Sequence, residues 1–116
     1  MVTQMKKVLI ILFLILITGC NEKGTIKKIT CEEKNKLIKE ENAILVDVRS
    51  SDEYNESHLE GAINQSVYLI EDLKASKDDS IIVYCKSGAR SSRAAEELLR
   101  LGYKKIYDLG SMSKCS

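Results

Sequence analysis

Ile81-Ile82-Val83-Tyr84-Cys85-Lys86-Ser87-Gly88-Ala89-Arg90-Ser91 decides the architecture, because its character changes twice within a few residues. The apolar run Ile81 to Tyr84 reads as a strand, and the polar stretch around Gly88 as a loop. From Ser91 to about Leu101 the pattern is helical, with Ala94, Ala95, Leu98, Leu99 and Leu101 as the apolar stripe and Gly102 as the stop. Strand, cysteine loop, helix is an order that makes a thiolate. The first turn of a helix has unpaired N–H groups and carries roughly half a positive charge, which stabilise an anion at its mouth. A cysteine placed there has a lowered pKa and becomes a nucleophile. Gly88 allows backbone angles that turn N–H groups inward, and Arg90 adds a fixed cation.

Outward from this segment, strands alternate with helical stretches. Ile26 to Ile29 reads as a short strand. Thr30-Cys31-Glu32-Glu33 is a capping-box pattern opening a polar helix to about Glu41, with Leu37 and Ile38 facing inward. Ala43 to Val48 is nearly continuous apolar, as in a parallel strand buried on both faces; Asp47 interrupts it and needs a partner. A short helix follows from Ser51, then a turn at Gly61, a short strand at Ala62 to Asn64 and a helical segment over Val67 to Leu73. The last strand is Lys105 to Leu109, and Gly110 to Ser116 reads as a polar tail. The class is therefore α/β with a mostly parallel sheet, and the cysteine loop lies at a strand's C-terminal end, where such sheets place their sites.

At the N-terminus, Lys6 and Lys7 precede ten apolar residues, Val8 through Ile17, and then Thr18-Gly19-Cys20. A basic region, a short apolar stretch and small residues are the parts of a secretory signal. Ten residues rise only about 15 Å as a helix, half of a membrane's hydrocarbon core, which argues against a permanent span. Leu16-Ile17-Thr18-Gly19-Cys20 resembles a bacterial lipoprotein box. That resemblance implies a signal peptide at 1–19, acylation of Cys20 and a tether at 20–25, leaving one domain at 26–116. It places the domain on the extracytoplasmic face of a cell membrane, held by lipid.

Without residues 1–19 the eighteen basic residues become sixteen, against seventeen acidic ones. This balance, with no basic run, gives no footprint for nucleic acid. The chain has no proline and no tryptophan, so its core rests on Ile, Leu, Val, Ala and tyrosine. Four cysteines suggest disulfides in an exported protein. With Cys20 acylated and Cys85 reactive, Cys31 and Cys115 remain. There is no C-x-x-C pair and only one histidine, His58, which argues against a zinc site, and nothing in the sequence calls for a cofactor.

The domain resembles a single-domain rhodanese, a thiosulfate-type sulfurtransferase. One block is Leu45-Val46-Asp47-Val48-Arg49, then Glu53-Tyr54, then His58-Leu59-Glu60-Gly61-Ala62-Ile63-Asn64; the other is Ile82 to Ser91, similar to the family's C-x-x-G-x-R-S. The resemblance implies a five-stranded sheet with helices on both faces and a monomer. It implies that Cys85 takes a sulfane sulfur as a persulfide and that Lys86, Ser87, Gly88, Ala89, Arg90 and Ser91 surround the substrate. The donor would be a small anion and the acceptor a thiol or a cyanide-like nucleophile. Cys85 and Arg90 are spaced C-x4-R, one residue shorter than the C-x5-R cradle of cysteine phosphatases, which favours sulfur over phosphate. The alternative from another class is a non-catalytic binding module or thiol-redox protein at the envelope.

Supporting roles follow from position. Asp47 reads as a strand-end carboxylate accepting hydrogen bonds, Arg49 and Glu53 as an ion pair across the strand-to-helix turn, and His58 as a residue that pins a loop. Ser57 and Glu60 stand where the family usually has Gly and Pro. After Gly110 the family usually continues with a second glycine, a tryptophan and a closing helix, none of which this chain has, so its C-terminal cover is expected to be abbreviated. Cys115 then lies in an extended tail able to span nearly 20 Å. There it is either a leftover terminal thiol, the more economical reading, or a resolving cysteine for a Cys85 persulfide or sulfenate.

Overall fold

The computed structural model describes residues 22–115 and contains one sheet of five strands in the order β1-β5-β4-β2-β3. The strands are β1 (Thr25–Lys28), β2 (Ile44–Asp47), β3 (Ile63–Asn64), β4 (Ser80–Cys85) and β5 (Lys105–Ser111), and every pairing is parallel. Central β4 is buried along its whole length. The apolar run from Ile81 to Cys85 follows from that position, since a central parallel strand is covered on both faces.

The helices are α1 (Cys31–Glu41), α2 (Ser51–Glu56) and α3 (Ala89–Arg100), and Val67–Asp72 forms a 3-10 segment. One face of the sheet packs Val46, Val48, Ile81, Val83 and Cys85 under α3 and the 3-10 segment, through Ala94, Ala95, Leu98, Val67 and Ile70. The other packs Leu45, Ile82, Tyr84 and Leu109 under α1 and α2, through Leu37, Ile38 and Tyr54. Each fully buried aliphatic side chain contributes roughly 1.5–3 kcal/mol.

The expected capping box forms: Glu33 N–H donates to Thr30 Oγ1 at 3.1 Å and Thr30 N–H to Glu33 Oε1 at 3.2 Å. Helix α3 starts at Ala89, two residues before the position expected from sequence. Gly88, at φ +102°, makes the turn and serves as its N-cap, so Ala89, Arg90 and Ser91 belong to the first helical turn.

The C-terminus differs more. β5 continues to Ser111 because Leu109 is accommodated as an irregularity: Val83 pairs with Asp108, but Tyr84 pairs with Gly110 and Cys85 with Ser111. Gly110 takes φ +80°, a conformation that favours glycine. Met112–Cys115 then forms a 3-10 turn, and Cys115 is disulfide-bonded to Cys31, at the start of α1, with Cα atoms 5.4 Å apart. Cys115 is therefore not a loose tail thiol. It packs against the buried cluster that contains Tyr84 and Leu109, and the resolving role is withdrawn because its sulfur is already bonded. A bridge across 84 residues typically stabilises by about 2–4 kcal/mol, chiefly by restricting the unfolded chain. It ties down the short terminus.

Candidate active site

Cys85 is the last residue of β4 and is buried. Its Sγ accepts the Gly88 N–H at 2.9 Å and the Ser91 N–H at 3.4 Å. Gly88 has no side chain with which to cap α3, so the sulfur takes the place of the capping oxygen. Burial pushes the thiol's pKa up. The Ser91 N–H and hydroxyl and the Gly88 and Ser87 N–H groups outweigh it, leaving the thiol below its ordinary value. The Ser91 hydroxyl has one proton to share between the sulfur and the Gly88 carbonyl oxygen at 3.0 Å. Cys85 is the free cysteine among the described residues.

The charged residues pair differently from the sequence expectation. Arg49 does not pair with Glu53. It grips Asp47 through Nε at 3.0 Å and Nη2 at 2.6 Å, and Nη2 also donates to the Ser57 carbonyl. Both Asp47 and Arg49 are buried. Asp47 also accepts the Arg49 N–H at 2.9 Å and the Tyr84 hydroxyl at 2.8 Å, while the Tyr84 oxygen accepts the Leu59 N–H at 3.0 Å. Asn64 donates to the Asp47 and Arg49 carbonyls, both at 3.0 Å. Burial pushes the Tyr84 phenol upward, and the neighbouring Asp47 carboxylate adds to the rise.

Glu53 pairs instead with Arg90, Nη1 to Oε1 at 2.7 Å and Nη2 to Oε2 at 3.0 Å. That guanidinium, against the cost of burial and with help from Ser50, holds the Glu53 carboxyl at about 2. Glu53 is also the reciprocal member of the Ser50 capping box of α2, so one carboxylate joins the starts of α2 and α3. Arg90 thus reaches the site already neutralised. His58 is exposed, its Nδ1 is 2.8 Å from the Tyr54 carbonyl oxygen, and its ring stacks on Tyr54 at 3.8 Å. That geometry fits a loop pin.

Lys86 and Ser87 on the loop and Ala89 at the start of α3 are exposed. Beside it opens a cavity of about 450 Å³ lined by Lys86, Arg49, Glu53, Glu56, Ser111 and Met112 among others. No cluster that would hold a metal occurs among the described residues. Cys20 and the rest of the expected signal lie outside the described residues. Sequence reasoning passed over Tyr84, Asn64 and Ser111. The signal for Tyr84 was present, since a tyrosine in a fully buried strand needs a partner for its hydroxyl.

The family model for the rhodanese-like domain matches residues 30–115. The chain belongs to the rhodanese-like family. Among rhodanese relatives it is 33% identical over 85 residues to the thiosulfate sulfurtransferase GlpE of Coxiella burnetii, covering 72% of this chain and 79% of that one. It is 30% identical over 89 residues to a tRNA uridine(34) hydroxylase of Buchnera aphidicola, but that match spans only 28% of the hydroxylase. A rhodanese from E. coli, solved with anions, superposes with a TM-score of 0.59 at 30% identity, over 62% of this chain and 89% of that one. The rhodanese fold expected from the two sequence blocks is the fold observed, with an all-parallel sheet.

Proposed function

We propose that this protein is a sulfurtransferase acting through a Cys85 persulfide. The observation that carries the reading is the Cys85 sulfur held against the Gly88 and Ser91 N–H groups at the start of α3. The thiolate attacks the outer sulfur of a thiosulfate-like donor. A new S–S bond forms, the donor's S–S bond breaks, and sulfite leaves with the bonding pair. An acceptor thiol or cyanide then attacks the outer persulfide sulfur and releases the Cys85 thiolate. The reading assigns no base, because the Ser91, Gly88 and Ser87 donors favour the thiolate over the thiol and His58 is engaged with Tyr54.

The inward N–H groups spread the charge of thiolate and persulfide in turn. Lys86, exposed at the loop, draws in an anionic donor; Arg90, neutralised by Glu53, serves more as a brace for the loop. The relative named thiosulfate sulfurtransferase, and the rhodanese solved with anions, support an anionic donor. The C-x4-R spacing supports sulfur over phosphate. The test is incubation with thiosulfate followed by intact-mass analysis. A gain of one sulfur, removed by cyanide and missing in Cys85→Ser, is expected; no gain in the natural protein overturns the reading.

Two observations favour a second reading, a rhodanese-fold binding module. Cys85 is fully buried, and the nearby guanidinium is occupied by Glu53. A Cys85 thiol that alkylates readily yet never gains sulfur would decide for it.

The location belongs to the same proposal: Cys20 acylated after removal of residues 1–19, with the domain outside the cytoplasm. The Cys31–Cys115 bridge supports it, since such bonds persist in oxidising compartments. Release of a Cys20→Ala protein from the membrane fraction is the expected result.

A further inference from the structure

Ser111 is the last residue of β5 and pairs in register with Cys85. Its hydroxyl donates to the carbonyl oxygen of Lys86 at 2.6 Å and lies 2.7 Å from the Ser113 hydroxyl, while the Ser113 N–H donates to Ser111 Oγ at 3.2 Å. The Lys86 carbonyl belongs to the peptide unit that carries the Ser87 N–H. That unit is trans, since the described residues contain no cis peptide, so its C=O and N–H point in opposite directions. Drawing the carbonyl out toward Ser111 therefore turns the Ser87 N–H in toward the sulfur. A rotated unit would present a carbonyl oxygen to the thiolate instead. The turn that follows Ser111 ends at Cys115 and is bonded to Cys31.

We propose that Ser111 is a positioning residue for the sulfur-binding loop: it fixes the Lys86–Ser87 peptide so that the Ser87 N–H faces Cys85, and the Cys31–Cys115 bridge holds Ser111 in place. Three observations on different segments converge on it: the hydrogen bond to Lys86, the Leu109 irregularity that brings Ser111 opposite Cys85, and the bridge four residues beyond Ser111. The Ser87 N–H is one of the groups that draw the thiol down. The charges around the loop are Lys86 on the loop, Arg90 paired to Glu53, Arg49 paired to Asp47, Glu56 across the cavity, and Lys114, whose amine sits above Gly110. A substitution at Ser111 removes none of these charges, so a change in the sulfur's titration would report on the peptide.

The test is the rate of Cys85 alkylation by iodoacetamide from pH 5 to 10, followed by peptide mass on the full-length chain in detergent. It rests on the reading of Cys85 as the reactive thiol but uses no sulfur donor, so it and the sulfurtransferase assay fail separately. Ser111→Ala is expected to move the alkylation midpoint upward by roughly half a unit to one unit, the worth of one neutral hydrogen bond. Ser111→Thr, which keeps the hydroxyl, restores it. The double variant Cys31→Ser with Cys115→Ser shifts it in the same direction by less. An unchanged midpoint in Ser111→Ala overturns the positioning role. If that variant melts low, failure of Ser111→Thr to restore the midpoint overturns it equally. An unshifted midpoint in the double variant removes the bridge from the proposal.

Discussion

Tyr84 and Cys85 are consecutive residues of β4 and look onto opposite faces of the sheet, because side chains alternate along a strand. On the Tyr84 face every buried polar side chain among the described residues meets a partner of its own chain. Asp47 takes Arg49 and Tyr84, Tyr84 takes Leu59, and Arg49 reaches Ser57. On the Cys85 face the Ser91 and Gly88 N–H groups have a sulfur as their acceptor, and that sulfur is the atom expected to change its bonding during turnover. One face is closed and holds the chain together. In the proposed reaction the other keeps its donors for chemistry.

If this division is right, substitutions on the Tyr84 face cost stability and leave the thiol's chemistry intact. The largest such effect is expected from Asp47→Ala, which strands a buried guanidinium: about 3–5 kcal/mol lost in denaturant unfolding, with Cys85 alkylation in the folded fraction unchanged. An alkylation rate that falls along with stability would show the two faces to be coupled through the strand. Next, replacing Cys31 and Cys115 by serine is expected to lower stability by about 2–4 kcal/mol. A loss below 1 kcal/mol would mean that packing around Leu109 already holds the terminus.

Glu53 sharpens the comparison, since its carboxylate braces the Cys85 side from across the cavity. Its folded pKa, about 2, lies below the ordinary 4.5, so the Arg90 pair stabilises the fold above about 4.5. That contribution fades as pH falls from 4.5 through 2. Melting curves should show Glu53→Gln less stable than the natural protein at pH 6 and converging with it near pH 2; parallel curves throughout would remove the pair from the stability account. The smallest effect is expected from His58→Ala, which gives up a bond to the Tyr54 carbonyl and a stacked ring. A loss of about 0.5–1.5 kcal/mol with unaltered persulfide formation is the outcome; slower sulfur uptake at full stability would give His58 a catalytic part.

The strand-loop-helix order at Cys85 could be read from the chain because each element declares itself locally, by apolar run, glycine and stripe. Pairing among Asp47, Arg49, Glu53 and Arg90 could not. Arg49 lies two residues from one carboxylate and four from another, so neighbourhood in sequence leaves both pairings open. The choice is made by the end of β4, where Tyr84 fills the second site on Asp47, and by the start of α3, which brings Arg90 to Glu53. The place of Cys115 is hidden in the sequence for a similar reason. An irregularity at Leu109 changes where the last residues go, and no periodicity in Gly110 to Ser116 announces it.

The bridge closes residues 31 to 115 into a covalent ring. Strands β2 to β5, the sulfur loop and all three helices lie inside it, and β1 lies outside, zipped to β5 over four residues. A pull applied through the N-terminus therefore falls on β1 first, which can peel away while the ring keeps its shape. Likewise a single protease cut in the exposed Lys77-Asp78 turn leaves the two fragments as one molecule.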